Sequence, residues 1–528
     1  MPSLIPAFSC SFDVTKNLQI TLQLLEYHLE LRSAFGTSHS STTHRKNALI
    51  KISIHYDHEI IINNNYSATS QQSLPPSSSL LLFEGFGECG LPPKKPNCYL
   101  ADFDDIKCYF EQYCKHVERD IKSDKIQTLF NLDSKFTQEK DHLLSQMFDE
   151  CFTETCGGSQ DQYFSTLKQE LSKLSTATHC EDVASTTCAT QRTEVLVTPL
   201  VLLHALDKNE YVDQYGKPHP EFEHCAQCVI EMAILDLWSK IVSKPLHAVI
   251  GIPAPVGKFS FYTAALNEDI QEIVKTAKLG LSKTKHLKIK LDSNIDKGIL
   301  IVKTLLDTYE KEYGVSGDMT ATKWSIDANA AWTPELSIEF LHRVKKEVPC
   351  FIPYFYMLEQ PFPISLDSYT DHDELSIIKN KWIQVKQEYE NEGILIFADE
   401  SVNTFENIPV ICPFIHGINI KLEKAGGIRG ALKTARIAQS QYHLKLWFGC
   451  MVSSRLSCTC SSHLMALSEI GGDLDGDLLV TESSQAFENG FTWRNDMTLN
   501  TGSMYIGPQH GEIILQSNQM GIGVERKF

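Results

Sequence analysis

The chain has 528 residues, 42% hydrophobic and 22% charged, with a formal net charge of -18 from 66 acidic and 48 basic residues. It is longer than an average domain and rich enough in apolar residues to bury a core, so two or more structural units, or one large barrel with additions, are expected. The acidic balance repels phosphate backbones and anionic headgroups, which argues against nucleic-acid and membrane-surface partners.

The opening MPSLIPAFSCSFDV has no basic segment leading into a long apolar run, and no later stretch approaches a membrane span, so a cytosolic protein is expected. The 16 cysteines include no paired C-x-x-C motifs at zinc spacing; Cys225/Cys228 and Cys458/Cys460 lack a second half, and reduced thiols are expected. Residues 17–58 alternate apolar and polar positions in LQITLQLLEYHLEL and NALIKISIHYD, which predicts antiparallel strands joined by the loop FGTSHSSTTHRK. The Asn/Ser/Gln/Pro-rich run at 63–79 is too polar to order itself and reads as a disordered insertion. Helical patterns occupy 104–150, a less regular stretch follows at 153–195, and 221–248 reads as a buried helix ended by Pro245.

From about residue 258 short apolar strands alternate with helix-forming stretches, the pattern of parallel βα units. Eight strand candidates are KFSFYTAA, HLKIKLD, WSIDANA, YFYMLEQP, ILIFADES, GINIKLE, LKLWFGCM and one near DLDGDLLV. They are anchored at Thr263, Lys290, Asp327, Glu359, Asp399, Lys421, Cys450 and Asp475 and spaced 22 to 40 residues apart. Eightfold repetition predicts a barrel.

Several strands end in Lys, Asp or Glu, which a parallel strand buried on both faces would not tolerate in its interior. The charges therefore converge at the C-terminal face, where barrel enzymes do chemistry. Asp327, Glu359 and Asp399 on three consecutive strands would repel unless a hard cation sat among them. An all-oxygen donor set points to Mg2+, with Mn2+ or another hard ion as a substitute. Lys288 and Lys290 precede these acids and Lys421 follows them, either as counter-ions or as proton-transfer groups. Removing a proton beside a carboxylate creates a dianion that a divalent cation neutralises, and a lysine beside such a cation and a second lysine would be pushed down toward neutral pH. Lysines on opposite sides permit inversion.

KIK (288–290), DANAAW (327–332), LEQP (358–361), ADES (398–401) and IKLEKAGGI (420–428) resemble, in order and spacing, the muconate-lactonizing branch of the enolase superfamily. IEMAILDLWSK with KPL (230–246) resembles the helix that precedes the barrel in that branch. The resemblance implies an α/β fold, a modified TIM barrel (β/α)7β over 255–480. An α+β capping domain would be built from 1–250, with insertions at 63–79 and 153–195, and from a C-terminal return at 481–528. It places the loops FGTSHS (35–40) and GFGECGLPP (85–93) near the substrate.

Asp473 and Asp475 in GGDLDGD resemble the D-x-D with which dipeptide epimerases hold a substrate ammonium; an Asp/Gly turn is the plainer reading. By position the resemblance implies Lys290 and Lys421 as the acid/base pair, and Asp327, Glu359 and Asp399 as Mg2+ ligands. Lys288 becomes a partner of the substrate carboxylate, Thr263 a substrate contact, and Asn329 and Lys424 supporting groups. Ser453, in GCMVSSRLS, stands where that family usually has an acidic residue. The expected activity is dipeptide epimerisation at the C-terminal residue, with a small-molecule substrate and, from the family, a homo-oligomer. The alternatives are a cycloisomerase, an N-acylamino-acid racemase or a non-catalytic scaffold.

Overall fold

The computed structural model describes residues 3–36, 41–56, 80–94, 99, 101–130, 138–156, 164–176, 183–210, 220–313, 322–366, 372–500, 503–516 and 519–527. The run at 63–79 lies outside them. Strands β1 (Ser3–Asp13), β2 (Leu18–Gly36), β3 (Ser41–Tyr56) and β4 (Leu80–Cys89) form an antiparallel sheet in that order. β2 and β3 run further than their apolar alternation predicts. Much of FGTSHSSTTHRK is strand, with Phe35 opposite Thr42 and Gly36 opposite Ser41 beyond a register shift after Glu30. Extended Thr42 and Thr43 suit a strand despite their polarity, so hydrophobic pattern alone does not mark this end.

Along β2 the buried positions are Leu18, Ile20, Leu22 and Leu24, then Tyr27, Leu29 and Leu31. The period of two breaks while the pairing with β3 stays in register, so the buried face of the sheet changes sides between Leu24 and Tyr27. The second face turns to the rest of the molecule: Tyr27 donates its hydroxyl to Ser484 O at 2.9 Å, and Leu31 bridges to Val480.

Helices α1 (Phe103–Ile121), α2 (Asp124–Phe130), α3 (Gln138–Cys156), α4 (Ser165–Thr176), α5 (Val183–Asp207) and α6 (Pro220–Ile241) follow. α1 starts at a capping box formed by Asp102 and Asp105 and buries Ile106, Tyr109, Phe110, Tyr113 and Val117 at helical spacing. The stretch 153–195, expected to be irregular, holds the end of α3, all of α4 and the first half of α5. Its many Thr, Ser and Cys residues are weak helix formers, and tertiary packing overrides them. β4 lies directly on α6. A Cβ at Gly85 would stand 2.2 Å from Ala233 O, and one at Gly87 would stand 2.1 Å from Val229 O, so this approach requires glycine.

The barrel strands are β5 (Phe259–Ser260), β6 (Tyr262–Ala264), β7 (Leu287–Lys290), β8 (Trp324–Asp327), β9 (Phe355–Glu359), β10 (Leu395–Ala398), β11 (Gly417–Ile420), β12 (Lys445–Gly449) and β13 (Gly471–Asp473). β5 and β6 are one strand interrupted at Phe261. The parallel order runs from β6 through β7 to β13 and back to β5, closing a barrel of eight strands with helical segments after the first seven. This is the expected (β/α)7β arrangement. The eighth strand, expected near DLDGDLLV, ends at the first residue of that string, Asp473, two residues before its expected anchor Asp475. It pairs through Gly471, Gly472 and Asp473, and a Cβ on the two glycines would come within 1.9 Å of Phe259 O and 1.8 Å of Phe448 O. Two glycines and an aspartate carry no apolar signal.

The C-terminal segment pairs Phe487–Asn489 with Val524–Arg526 and returns to α6, where Ile522 N–H donates to Asp236 Oδ1 at 2.9 Å. The cysteines whose side chains are described are free thiols, and among the described residues no helix is long and apolar enough to cross a membrane.

His463 fixes this return to the barrel. Its Nε2 bonds Ile522 O at 3.0 Å, and its Nδ1 accepts from the His247 backbone N–H at 3.2 Å, an arrangement for the neutral ring. Burial pushes its pKa from the usual 6.5 down to about 3. Between those values the unfolded chain takes up a proton that the folded chain does not, so this group lowers stability as pH falls, by about 1.4 kcal/mol per pH unit. Urea unfolding from pH 6.5 to 4 is expected to show a shallower acid loss in His463→Gln than in the wild type; parallel slopes would refute this role.

Candidate active site

Alternation along a barrel strand puts residues i and i+2 on the same side, so Lys288 and Lys290 both project from β7 toward the barrel axis. Lys290, Asp327 and Glu359 are in-register partners across β7, β8 and β9. Beneath them Phe261, Met357, Phe397 and Trp447 fill the barrel as an apolar layer, and the charges stand on that floor.

Lys288 lies at the centre. Its Nζ is 3.2 Å from Asp327 Oδ2, 2.8 Å from Glu359 Oε2 and 2.8 Å from Asp473 Oδ2. Burial opposes its charge, but Asp327, Asp473 and Glu359 outweigh burial and hold the ammonium well above the usual lysine range. Lys290 Nζ donates to Asp327 Oδ2 at 2.9 Å and to Asn329 Oδ1 at 3.1 Å. Burial of Asp327 is likewise outweighed, by Lys288 and Lys290, and its carboxylate is held below the usual range. Glu359 accepts from Asn419 Nδ2 at 2.8 Å, yet burial pushes it up to about 8.

Asp399 forms the second pole. Its Oδ2 is 2.7 Å from Lys421 Nζ, and its Oδ1 is 2.6 Å from Lys424 Nζ. Against burial, these two lysines hold it well below the usual carboxylate range. Lys421 is raised, because Asp399 outweighs burial; the expected lowering supposed a divalent cation at its side. Each of the three carboxylates named as metal ligands thus carries an ammonium partner, and among the described residues no three His, Cys, Asp or Glu side chains are grouped to hold an ion. The donor set still suits a hard cation. It consists of carboxylates alone, on adjacent strands, and already requires the Lys288 ammonium to span Asp327 and Glu359.

Asp473 ends the eighth strand and Asp475 stands two residues beyond it. Asp473 Oδ1 accepts from Trp447 Nε1 at 2.8 Å, and Asp475 Oδ2 accepts from the Thr263 N–H at 2.5 Å. Burial, reinforced by Asp473, pushes Asp475 up to about 7. A cavity of about 310 Å3 brings together Thr263, Lys288, Lys290, Asp399, Lys421, Asp473 and Asp475. Asp327 and Glu359 stand behind its wall, through Lys288. Pro92 and Pro93 of the GFGECGLPP segment also line it, whereas residues 37–40 of the FGTSHS loop lie outside the described residues.

Strain collects beside the carboxylates. Asn329, Ala330 and Gln360 have φ of 44°, 63° and 40°, and the turn is held by Ala330 N–H donating to Gln360 O at 2.8 Å. Sequence reasoning missed Asn419, Trp447 and Glu88. Asn419 could have been found from its place two residues before Lys421. Ser453 is buried and bonds Met451 O at 3.1 Å, and a carboxylate does reach this loop, but from the other sheet. Glu88 of β4 accepts from Asn47 Nδ2 and from the Ser454 N–H, each at 2.9 Å, and burial raises its pKa.

The family pattern described as "Enolase C-terminal domain-like" matches residues 272–498. An enolase superfamily member from Dictyostelium discoideum is 32% identical over 515 residues, covering 97% of both chains. The chain belongs to the enolase superfamily. Within that superfamily, an L-Ala-D/L-amino acid epimerase from Pedosphaera parvula is 25% identical over 52% of this chain and 70% of its own length. A dipeptide epimerase from Enterococcus faecalis, solved with Mg and L-Leu-L-Tyr, shares the fold with a TM-score of 0.54 at 16% identity, over 96% of this chain and 99% of that one. This enolase superfamily enzyme therefore shares its barrel with proteins of low sequence identity.

Removing the Lys288 charge leaves Asp327, Glu359 and Asp473 buried without their common partner. Lys288→Met is expected to cost about 3–5 kcal/mol in chemical denaturation without added divalent ions; an unchanged midpoint would show that the network does not depend on it.

Proposed function

We propose that the chain is a Mg2+-dependent dipeptide epimerase that inverts the α-carbon of the C-terminal residue by two-base proton transfer. The observation that carries this reading is the placement of Lys290 and Lys421 on the second and sixth of eight strands, on opposite sides of the barrel mouth, both lining one cavity. A carbon held between them is open to proton removal from one face and return to the other.

Asp327, Glu359 and Asp399 would hold the Mg2+, or Mn2+ in its place. When bound, the ion neutralises charge that develops on the substrate carboxylate as the α-proton leaves. With the three carboxylates engaged, Lys288 becomes available to pair with the same substrate carboxylate. Lys290 and Lys421 exchange roles with the substrate's configuration, the neutral amine taking the proton and the opposite ammonium returning one. Asp399 holds Lys421 in line, and Asn329 does the same for Lys290.

Asp473 ends the strand opposite β9 and Asp475 follows it by two residues, so a substrate with its carboxylate near the ligands can offer its ammonium to these acids across the cavity. Asp475 suits this role, because a cation beside it restores the charge that burial and Asp473 disfavour. The named epimerases among its relatives support the dipeptide over the cycloisomerase reading.

The test is α-deuterium incorporation from D2O into a mixed L,L-dipeptide library, read by mass spectrometry with stereochemical analysis. Exchange with inversion is expected with Mg2+ or Mn2+ and lost on chelation. It should fall on the order of 10²–10⁴-fold in Lys290→Ala and in Lys421→Ala. Exchange that survives either substitution would overturn the two-base assignment. Exchange on N-acylamino acids but on no dipeptide would replace this reading with the racemase.

A further inference from the structure

Two thiols of the cap sit in contact. The Sγ atoms of Cys10 on β1 and Cys114 on α1 are 3.0 Å apart, although 104 residues separate them along the chain. Both are free. Only about 1 Å of closer approach divides this contact from the S–S bond length of a disulfide.

The meeting follows from how the strand packs on the helix. Phe8 and Cys10 share one face of β1, and Phe110 and Cys114 share one face of α1. The Phe8 and Phe110 rings meet edge to face with centroids 5.9 Å apart. Two residues along a strand advance about 6.6 Å, and four along a helix advance about 6 Å, so contact between the rings brings the sulfurs into step. β1 is an edge strand on which Phe8, Cys10 and Phe12 are only half-buried, which leaves Cys10 within reach of a small solute, whereas Cys114 is buried. Hydrogen bonding with Cys10, and after it burial, push the Cys114 thiol up, so Cys114 keeps its proton until its partner has reacted.

We propose that Cys10 and Cys114 are a peroxide-responsive pair that closes to a disulfide and pins edge strand β1 to α1. The Cys10 thiolate attacks one oxygen of hydrogen peroxide, the O–O bond breaks, sulfur becomes the sulfenic acid and the other oxygen leaves as water after taking up a proton. The Cys114 sulfur then attacks the sulfenic sulfur; the S–S bond forms, and the hydroxyl departs with the Cys114 proton as a second water. In sum two thiols and one peroxide give one disulfide and two waters. The resolving sulfur is in place before the sulfenic acid exists, which favours closure over further oxidation. The bond encloses β2, β3 and β4 together with Pro92, Pro93 and Lys94 of the cavity wall, and Lys94 is tied to the start of α1 through Asp102 at 2.7 Å and Asp105 at 3.2 Å. Cross-linking so long a loop restricts the unfolded chain, so oxidation stabilises the cap.

The full chain, reduced and then freed of reductant, is treated with a small molar excess of hydrogen peroxide, alkylated, digested and mapped by mass spectrometry without reduction. A Cys10–Cys114 peptide pair is expected, about 2 Da lighter than the sum of its reduced peptides, and reversed by dithiothreitol. Oxidation should raise the thermal midpoint by about 3–10 °C. That gain should vanish in Cys10→Ser and Cys114→Ala and persist in Cys108→Ser, which removes an exposed thiol of the same helix. In Cys114→Ala the Cys10 sulfenic acid, left without its resolving thiol, should be captured by a 1,3-dione probe. The peptide map is read on the wild type and so decides even where a variant fails to fold. Cys10 recovered unmodified, as sulfinic acid or linked to another cysteine, or a thermal gain that survives Cys10→Ser, overturns the proposal.

Discussion

A single ammonium in contact with three carboxylates organises the barrel mouth. Lys288 touches Asp327, Glu359 and Asp473, which come from the third, fourth and eighth strands, so the charge balance of the barrel closes across its own diameter. Such a cluster is weak evidence for stability, because desolvating each ion costs several kcal/mol and good geometry only offsets that cost. Its value lies in position. Below it the Phe261, Met357, Phe397 and Trp447 layer excludes water, and Trp447 presents its one polar hydrogen upward to Asp473. Charge is thereby confined to the end of the barrel where a substrate can enter.

The cap depends on the same end. Its sheet changes its buried face between Leu24 and Tyr27, and only the second half meets the barrel loops. From that half come Arg45 and Asn47, and from β4 comes Glu88, which bonds the Ser454 segment after the seventh strand. The glycines that press β4 onto α6 fix how far Glu88 reaches. Barrel and cap are therefore not separable into chemistry and cover: a carboxylate of the cap positions a loop of the barrel.

Much of this was legible because opposed requirements met in short strings. Apolar strands that end in KIK, LEQP or ADES cannot bury those ends unpaired, and the order of the ends specified which charges would be neighbours. The bounds of the eighth strand were hidden because Gly471 and Gly472 pair without side chains, and the polar extension of β3 because its threonines break the apolar alternation. Arg45 and Glu88 were invisible for a different reason. Each matters through residues hundreds of positions away, and no local pattern distinguishes a buried guanidinium in THRK from a solvated one.

The strand order also limits what the family fold can decide. Lysines on the second and sixth strands face each other across the mouth, and acids on the third to fifth strands face the eighth, so two perpendicular axes cross in one cavity. One axis serves proton transfer and the other aligns a substrate with unlike ends. Neither axis specifies a side chain, because proton transfer and the alignment of unlike ends concern groups common to any such substrate. What distinguishes one side chain from another therefore has to come from walls outside both axes, and there the cap contributes Arg45, Pro92 and Pro93 to the cavity lining.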